Sequence, residues 1–405
     1  MSGGNMTTFQ PGRLAGQLAA TALLAATCSA FAADAPTTVP SSLGAIGTTP
    51  TLDNITMEPG LPSDAKRVYV LDPGHFHVTT TVYTIDGNKN NLLGMTDTGK
   101  LANVMLSSDG KFFVTSNTTY SRIARGKRDD YVEVIDAQSH KVLADIDIPE
   151  GRFLTGVMNR MASLSTDNKY MLFQQFAPSP AVGLVDLEKK SFVKMMDIPD
   201  CYQIFPVPNQ SFYMHCRDGS LQQFGYDDKG NLKPMKPTKV FHGEDDYLFV
   251  NPYYSNGSGR LVWPTYEGRI FQAKLTDKKV DFMKPFELFT EAEKKANWRP
   301  GGWQVVAYHK ARNEIYVLAD QRAKWTHVTA SRYVFVVDGT TGKRLRRIDL
   351  GHEIDGISVT QDANPNLYAV SAEAKTLFTF NAVTGKETGK VDELGRAPTI
   401  SLTMD

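Results

Sequence analysis

Two cysteines, Cys201 and Cys216, stand fifteen positions apart in DCYQIFPVPNQSFYMHCRDGS, and one other, Cys28, lies near the N-terminus. Paired sulfurs admit three chemistries: a metal site, a redox centre or a structural bridge. Zinc would need two more ligands at useful spacing, and His215 alone does not supply them. The C-x-x-C spacing of a thiol–disulfide centre is absent. Cys28 sits in LAGQLAATALLAATCSAFAAD, which follows Arg13, is apolar in its middle and closes with Ala30-Phe31-Ala32. That pattern reads as a secretory signal peptide, too short to span a bilayer comfortably. A lipoprotein site at Cys28 is disfavoured by Thr27 before it, and Met6 is an alternative start. Once the leader is removed, Cys201 and Cys216 remain as an isolated pair in an oxidising compartment, and such a pair reads as a disulfide. Closing a loop of this length contributes about 3 kcal/mol in the chain-entropy model.

Other reactive types are scattered. His75 and His77 flank Phe76 and would share one face of a strand, as a metal pair would require, but no carboxylate cluster accompanies them. There is no G-x-S-x-G elbow, no phosphate-binding glycine loop and no H-E-x-x-H. The expectation is therefore no catalytic, cofactor-binding or metal-binding residue on this chain. Arg122, Arg125, Lys127 and Arg128 form a basic cluster ahead of Asp129 and Asp130. It reads as a solvated loop with local ion pairs, or as a surface for a partner. The four tryptophans, Trp263, Trp298, Trp303 and Trp325, show no spacing that implies a modified cofactor. Lys plus Arg and Asp plus Glu balance at 44 each, which gives no electrostatic case for nucleic acid or an anionic membrane.

The elements that must position these residues repeat. A β-branched or aromatic run, a polar turn and a second run recur around Asp86, Asp136, Asp186, Asp227, Asp277, Asp338 and Asn381. These are hairpins. Between them lie further strand-turn-strand stretches at 106–116, 164–175, 207–216, 259–266, 311–319 and 365–371. Four strands per period of about 50 residues is a propeller blade. Seven outer hairpins predict an all-β, seven-bladed β-propeller of four-stranded antiparallel blades. Strands around Ala397 to Met404 would close the ring on a first blade that lacks its inner strand. The stretch 289–302 is predicted helical, with a capping box from Thr290 to Glu293 and a stop at Pro300-Gly301-Gly302. The domain reading is a signal peptide at 1–32, an extended Thr/Pro/Gly-rich arm at 33–65 and the propeller at 66–405.

Several long stretches, in order, carry a resemblance: DPGHFHVTTTVYTIDG, TYSRIARGKRDDYVEVID, APSPAVGLVDLEKKSF, IPDCYQIFPVPNQSFYMHCRDGSL, GRLVWPTYEGRI, WRPGGWQVVAYH and LGHEIDGISVTQD. They resemble the heavy subunits of the periplasmic quinoprotein amine dehydrogenases, nearer the methylamine than the aromatic amine enzymes. The resemblance implies a seven-bladed propeller and a bridge between Cys201 and Cys216. It implies a heterotetramer of two heavy and two light subunits. The light subunit, small and cysteine-rich, would carry tryptophan tryptophylquinone and the catalytic base. The reaction would be oxidative deamination of a primary amine to an aldehyde and ammonia, with electrons leaving to an amicyanin-like blue copper protein. The family places a heavy-chain phenylalanine at the mouth of the substrate channel, and Phe76 of DPGHF matches it; His77 departs from the family pattern there. The alternative is a cofactor-free periplasmic propeller acting as a binding or assembly module. Generic propellers share turns such as VDGTTGKRL, but not WRPGGWQVVAYH.

Overall fold

The computed structural model describes residues 66–74, 79–154, 156–198 and 200–405. Its strands form seven antiparallel sheets in chain order. The first blade starts with β1 (Arg67–Asp72), β2 (Thr81–Asp86) and β3 (Asn91–Asp97). The second holds β4 (Asn103–Leu106), β5 (Phe112–Arg122), β6 (Arg125–Asp136) and β7 (Val142–Asp147). The third holds β8 (Ala162–Leu164), β9 (Tyr170–Gln175), β10 (Ala181–Asp186) and β11 (Ser191–Asp197). The fourth holds β12 (Cys201–Val207), β13 (Ser211–Cys216), β14 (Leu221–Tyr226) and β15 (Leu232–Pro234). The fifth is β16 (Tyr253–Tyr254), β17 (Arg260–Pro264), β18 (Arg269–Leu275) and β19 (Val280–Phe282), with β20 (Phe286–Glu287) also on β18. After helix α1 (Glu291–Lys295), the sixth blade comprises β21 (Trp298–Pro300), β22 (Val306–His309), β23 (Glu314–Gln321), β24 (Ser331–Asp338) and β25 (Arg344–Ile354). The seventh is β26 (Gly356–Val359), β27 (Asn366–Ser371), β28 (Thr376–Asn381) and β29 (Glu387–Val391). β30 (Ile400–Thr403) then pairs antiparallel with β1, Leu71 opposite Ile400, and completes the first blade.

The middle strands read as continuous apolar runs because neighbouring blades cover both their faces. β9 (YMLFQQ) and β10 (AVGLVD) are buried at every position. The outer β7 (VLADID) alternates exposed and buried, as a half-covered strand does. The recurring acids are turn formers. Asp86 accepts the Asn88 N–H, Asp136 those of Gln138 and Ser139, and Asp338 those of Thr340 and Thr341. Asn381 does the same for Val383 and Thr384. These are Asx turns at the tips of the outer hairpins. In the fifth blade the hydroxyl of Thr276, rather than Asp277, takes the Lys278 and Lys279 N–H groups.

Three expectations are corrected. The stretches 259–266, 311–319 and 365–371 each hold one strand, not two. Their inner partners are β16, β22 and β26, which lie upstream and in the fifth blade shrink to two residues. The helix has the expected capping box, with the Thr290 hydroxyl accepting from Glu293 N and the Glu293 carboxylate from Thr290 N. It ends well before Pro300, however, where Asn297 turns the backbone at φ +62°. Trp298–Pro300 is an edge strand on β23, a place where proline's missing N–H costs no ladder bond. The basic cluster is not a loop: β5 and β6 continue as a hairpin to the Arg122–Arg125 pair.

Candidate functional site: the loop face and the ring axis

Within each blade, the turns between first and second strands fall at one end. The connections between second and third strands, and from blade to blade, fall at the other. The first set gathers round an axial cavity of about 310 Å³, lined by Ser107, Thr166, Gly257, Lys310, Gln361 and Asp405 among others. The second set makes the loop face. It carries the β1–β2 connection, the basic hairpin, the cysteine pair and the segment 234–253.

Phe76, His75 and His77 lie outside the described residues. Their root is described: the Asp72 carboxylate accepts N–H groups of Gly74, Arg396 and Ala397 at 2.8, 2.7 and 2.9 Å. This ties the end of β1 to the segment that leads into the closing strand.

Cys201 and Cys216 are bonded to each other and are direct partners across β12 and β13, with Cα atoms 3.9 Å apart. The Cys216 N–H goes to Ser220 O, and Cys201 O accepts from Gln174 Nε2. The two cysteines therefore form a non-hydrogen-bonded pair, where side chains of facing strands stand closest. Gln174 also accepts the Gln203 N–H through Oε1, so the third blade grips the bridged strand of the fourth.

Beside the bridge, His215 Nε2 lies 2.7 Å from His242 Nε2. His242 Nδ1 sits 3.0 Å from Gly243 O, which as a donor leaves its Nε2 to accept from His215. Tyr202, Phe241 and Trp263 pack round the His215 ring. Burial, and next the proximity of His242, press the His215 pKa down to about 3. His242 was not singled out by sequence because it is 27 residues away in a segment with no regular pattern.

Trp303 joins three connections at this face. Its Nε1 donates to Val157 O at 2.8 Å, and its carbonyl accepts from Asn251 Nδ2 at 2.9 Å. Asn251 Oδ1 in turn accepts the Asn159 N–H. Connections of the third, fifth and sixth blades thus meet at one residue, Val157 on its indole and Asn251 on its main-chain carbonyl. Elsewhere on the face, Ile123 at the hairpin tip is 74% exposed. Arg122, Arg125 and Lys127 beside it are exposed too. Arg128 instead forks onto Asp130 at 2.7 and 2.9 Å. Trp325, between β23 and β24, is 56% exposed against Tyr247 with its backbone at φ +71°.

Among the described residues, no group of three or more His, Cys, Asp or Glu is placed to hold a metal ion. No helix there is long and apolar enough to cross a membrane.

The family model for the methylamine dehydrogenase heavy chain matches residues 64–405. The methylamine dehydrogenase heavy chain of Methylophilus methylotrophus is 61% identical over 409 aligned residues, covering 99% of this chain and 100% of that one. That of Paracoccus versutus is 52% identical over 343 residues, 84% of this chain and 80% of its own. A solved structure of a functionally unknown protein from Desulfotomaculum acetoxidans superposes with TM-score 0.57 at 13% identity, over 82% of this chain and 98% of that one; it shares the fold alone. The chain belongs to the methylamine dehydrogenase heavy chain family.

The family implies a tryptophan tryptophylquinone in the complex. The tryptophans of this chain do not fit as its precursors. Trp263 packs with Phe205, His215 and Phe241, Trp298 with Tyr333 and Phe335, and Trp325 with Tyr247. Trp303 is committed to Val157. Among the described residues, no ring contact joins two of them.

Proposed function

We propose that this chain is the heavy subunit of a periplasmic amine dehydrogenase that oxidatively deaminates primary amines, methylamine first among them, to aldehyde and ammonia. The observation that carries the reading is the family match over 64–405, with 61% identity to a methylamine dehydrogenase heavy chain over the full length. In this reading the propeller is a platform. A small cysteine-rich light subunit binds to it, two of each forming a heterotetramer, and that subunit holds the tryptophan tryptophylquinone and the catalytic base. Electrons pass from the quinone to an amicyanin-like blue copper protein. A permanent interface of this kind buries more than about 2,000 Å². Phe76 stands at the mouth of the substrate channel, where a bulky apolar ring limits the amines that enter. Residues 1–32 are the export signal, and 33–65 form an arm that straps onto a partner subunit.

The test is the visible spectrum of protein purified from its native periplasm, before and after methylamine, with a denaturing gel. A quinone band that bleaches with amine, and a small co-purifying chain, are expected. A colourless single chain unchanged by amines would overturn the reading and leave a propeller that binds or assembles without a cofactor partner.

A further inference from the structure

The loop face carries an exposed aromatic patch. Trp325 and Val328 share the β23–β24 connection and are 56% and 54% exposed, and Tyr247 is 49% exposed. The Trp325 ring meets Tyr247 edge-on, with centroids 5.1 Å apart. Behind them Tyr266 stacks on Tyr247 at 5.9 Å and on His327 at 3.8 Å. Trp325 holds its backbone at φ +71°, a conformation that a bulky residue keeps only where its surroundings impose it. Arg322 imposes it here. Its Nη1 donates to the carbonyls of Thr326 and Thr329 at 2.8 and 2.7 Å, and its Nη2 to Ala330 O at 2.9 Å and to the Ser331 hydroxyl. The Gly302 N–H donates to His327 O at 2.9 Å, and Ser331 Oγ to Gly301 O at 2.7 Å. These bonds tie the loop to the segment that follows β21. The rim is polar: Lys324 and Arg299 meet Glu267, and Arg269 meets Asp246.

We propose that the Trp325 loop is an anchor on which the light subunit seats, an apolar pocket of that subunit taking the Trp325 ring with Tyr247 and Val328 beside it. The proposal rests on the heavy-subunit reading above. Trp and Tyr carry much of the energy of protein interfaces, and a ring held in place beforehand loses little freedom on binding. An apolar centre within a polar rim is how such surfaces are built. The occupant follows from the face. The β1–β2 connection, which carries Phe76, lies on the same face, so the subunit served by that channel lies over it. The chemistry also suits a permanent partner. Lasting interfaces are the more apolar ones, whereas electron-transfer contacts are small and transient.

The test is made on the native complex. Hydroxyl radicals oxidise exposed rings and thioethers, so the oxidation rate of Trp325, divided by its rate in the denatured chain, reads how far it is covered. Met95, 55% exposed on the outer strand β3, is the internal reference. Trp325 is expected to be protected and Met95 not. Trp325→Gly removes the anchor, while glycine adopts the left-handed backbone without strain and leaves the sheet intact. Retention of the light subunit, read as quinone absorbance per heavy chain after gel filtration in mild urea, should weaken about 30-fold, the loss of one hot-spot side chain. Trp325→Phe, which keeps a ring, should retain most of it. If Trp325→Gly does not fold, a short amine crosslinker on Lys324 decides: a product with the light chain supports the proposal, and one with a second heavy chain alone overturns it. Trp325 oxidised as fast as Met95, or Trp325→Gly holding its light subunit as the wild type does, would overturn the proposal. So would protection that appears only when the blue copper protein is added. A colourless wild-type chain without a light subunit would instead overturn the heavy-subunit reading, and the proposal with it.

Discussion

Replacing Glu314 by Gln tests how the sixth and seventh blades are held together. Glu314 is 4% exposed. Its Oε2 accepts from Arg346 Nη2 and the Tyr316 hydroxyl, both at 2.6 Å, and its Oε1 pairs with Arg312 at 3.1 Å. Arg346 also donates to Ala382 O in the outer turn of the seventh blade, so the carboxylate anchors a contact between blades. Burial by itself raises the Glu314 pKa. The bonds from Arg346, then Tyr316, then Arg312, outweigh it and draw the value from 4.5 to about 2. At about 1.36 kcal/mol per pH unit, that displacement corresponds to about 3 kcal/mol. Because the folded value lies below the unfolded one, this stabilisation is complete above about pH 4.5 and is lost as pH falls toward 2. Glu314→Gln removes it at every pH. At roughly 2 °C per kcal/mol in a domain of this size, the variant should melt about 6 °C lower at pH 7. The deficit should shrink steadily between pH 4.5 and 3. The assay is thermal unfolding of both proteins at matched ionic strength across that range, where other titrations cancel in the difference. A deficit that stays constant from pH 7 to 3 would refute the assignment of this charge as the source of the effect.

Removing the bridge with the double change Cys201→Ser and Cys216→Ser should cost about 3 kcal/mol, read as a lowered denaturation midpoint with unchanged sheet content. His215, whose folded value near 3 lies below the ordinary 6.5, makes stability fall as pH drops from about 6.5 to 3. His215→Phe should flatten the melting profile over that interval; an unaltered slope would show that the histidine pair does not titrate with unfolding. Phe76→Ala should shift substrate preference toward longer amines by about 1–3 kcal/mol in kcat/KM ratio, and an unchanged amine profile would remove Phe76 from the channel mouth.

The ring could be read because its turns are chemically marked. Asp86, Asp136 and Asp338 accept turn N–H groups, so one residue type recurs at most of the outer turns. The inner strands were harder to place. β16 has only Tyr253 and Tyr254 and no periodicity to detect, and β21 hides in a stretch whose charged and proline residues suit a helix and its stop. The long β5–β6 hairpin escaped because its outer half is covered by neither neighbouring blade, and exposed strand residues such as Arg125 and Lys127 look like loop. At the loop face the cysteine pair was legible, since few cysteines leave few pairings. The Trp303–Val157 bond, spanning 146 residues, and the His215–His242 contact were not, because nothing local in either partner specifies the other. Phe76 enters through its motif alone, and the amine profile of Phe76→Ala tests it.

The pairing of β30 with β1 has a consequence for how this molecule comes into being. The strand that Arg67–Asp72 needs as its inner neighbour is supplied by Ile400–Thr403, more than three hundred residues later on the ribosome. Until that stretch has emerged, the first blade has three strands and presents an unpaired inner edge. Contacts so distant along the chain form slowly, because closing the intervening loop precedes any gain from the pairing. A nascent or truncated chain therefore keeps that strand edge exposed, prone to pair with a strand of another chain. Only the finished polypeptide can bite its own tail.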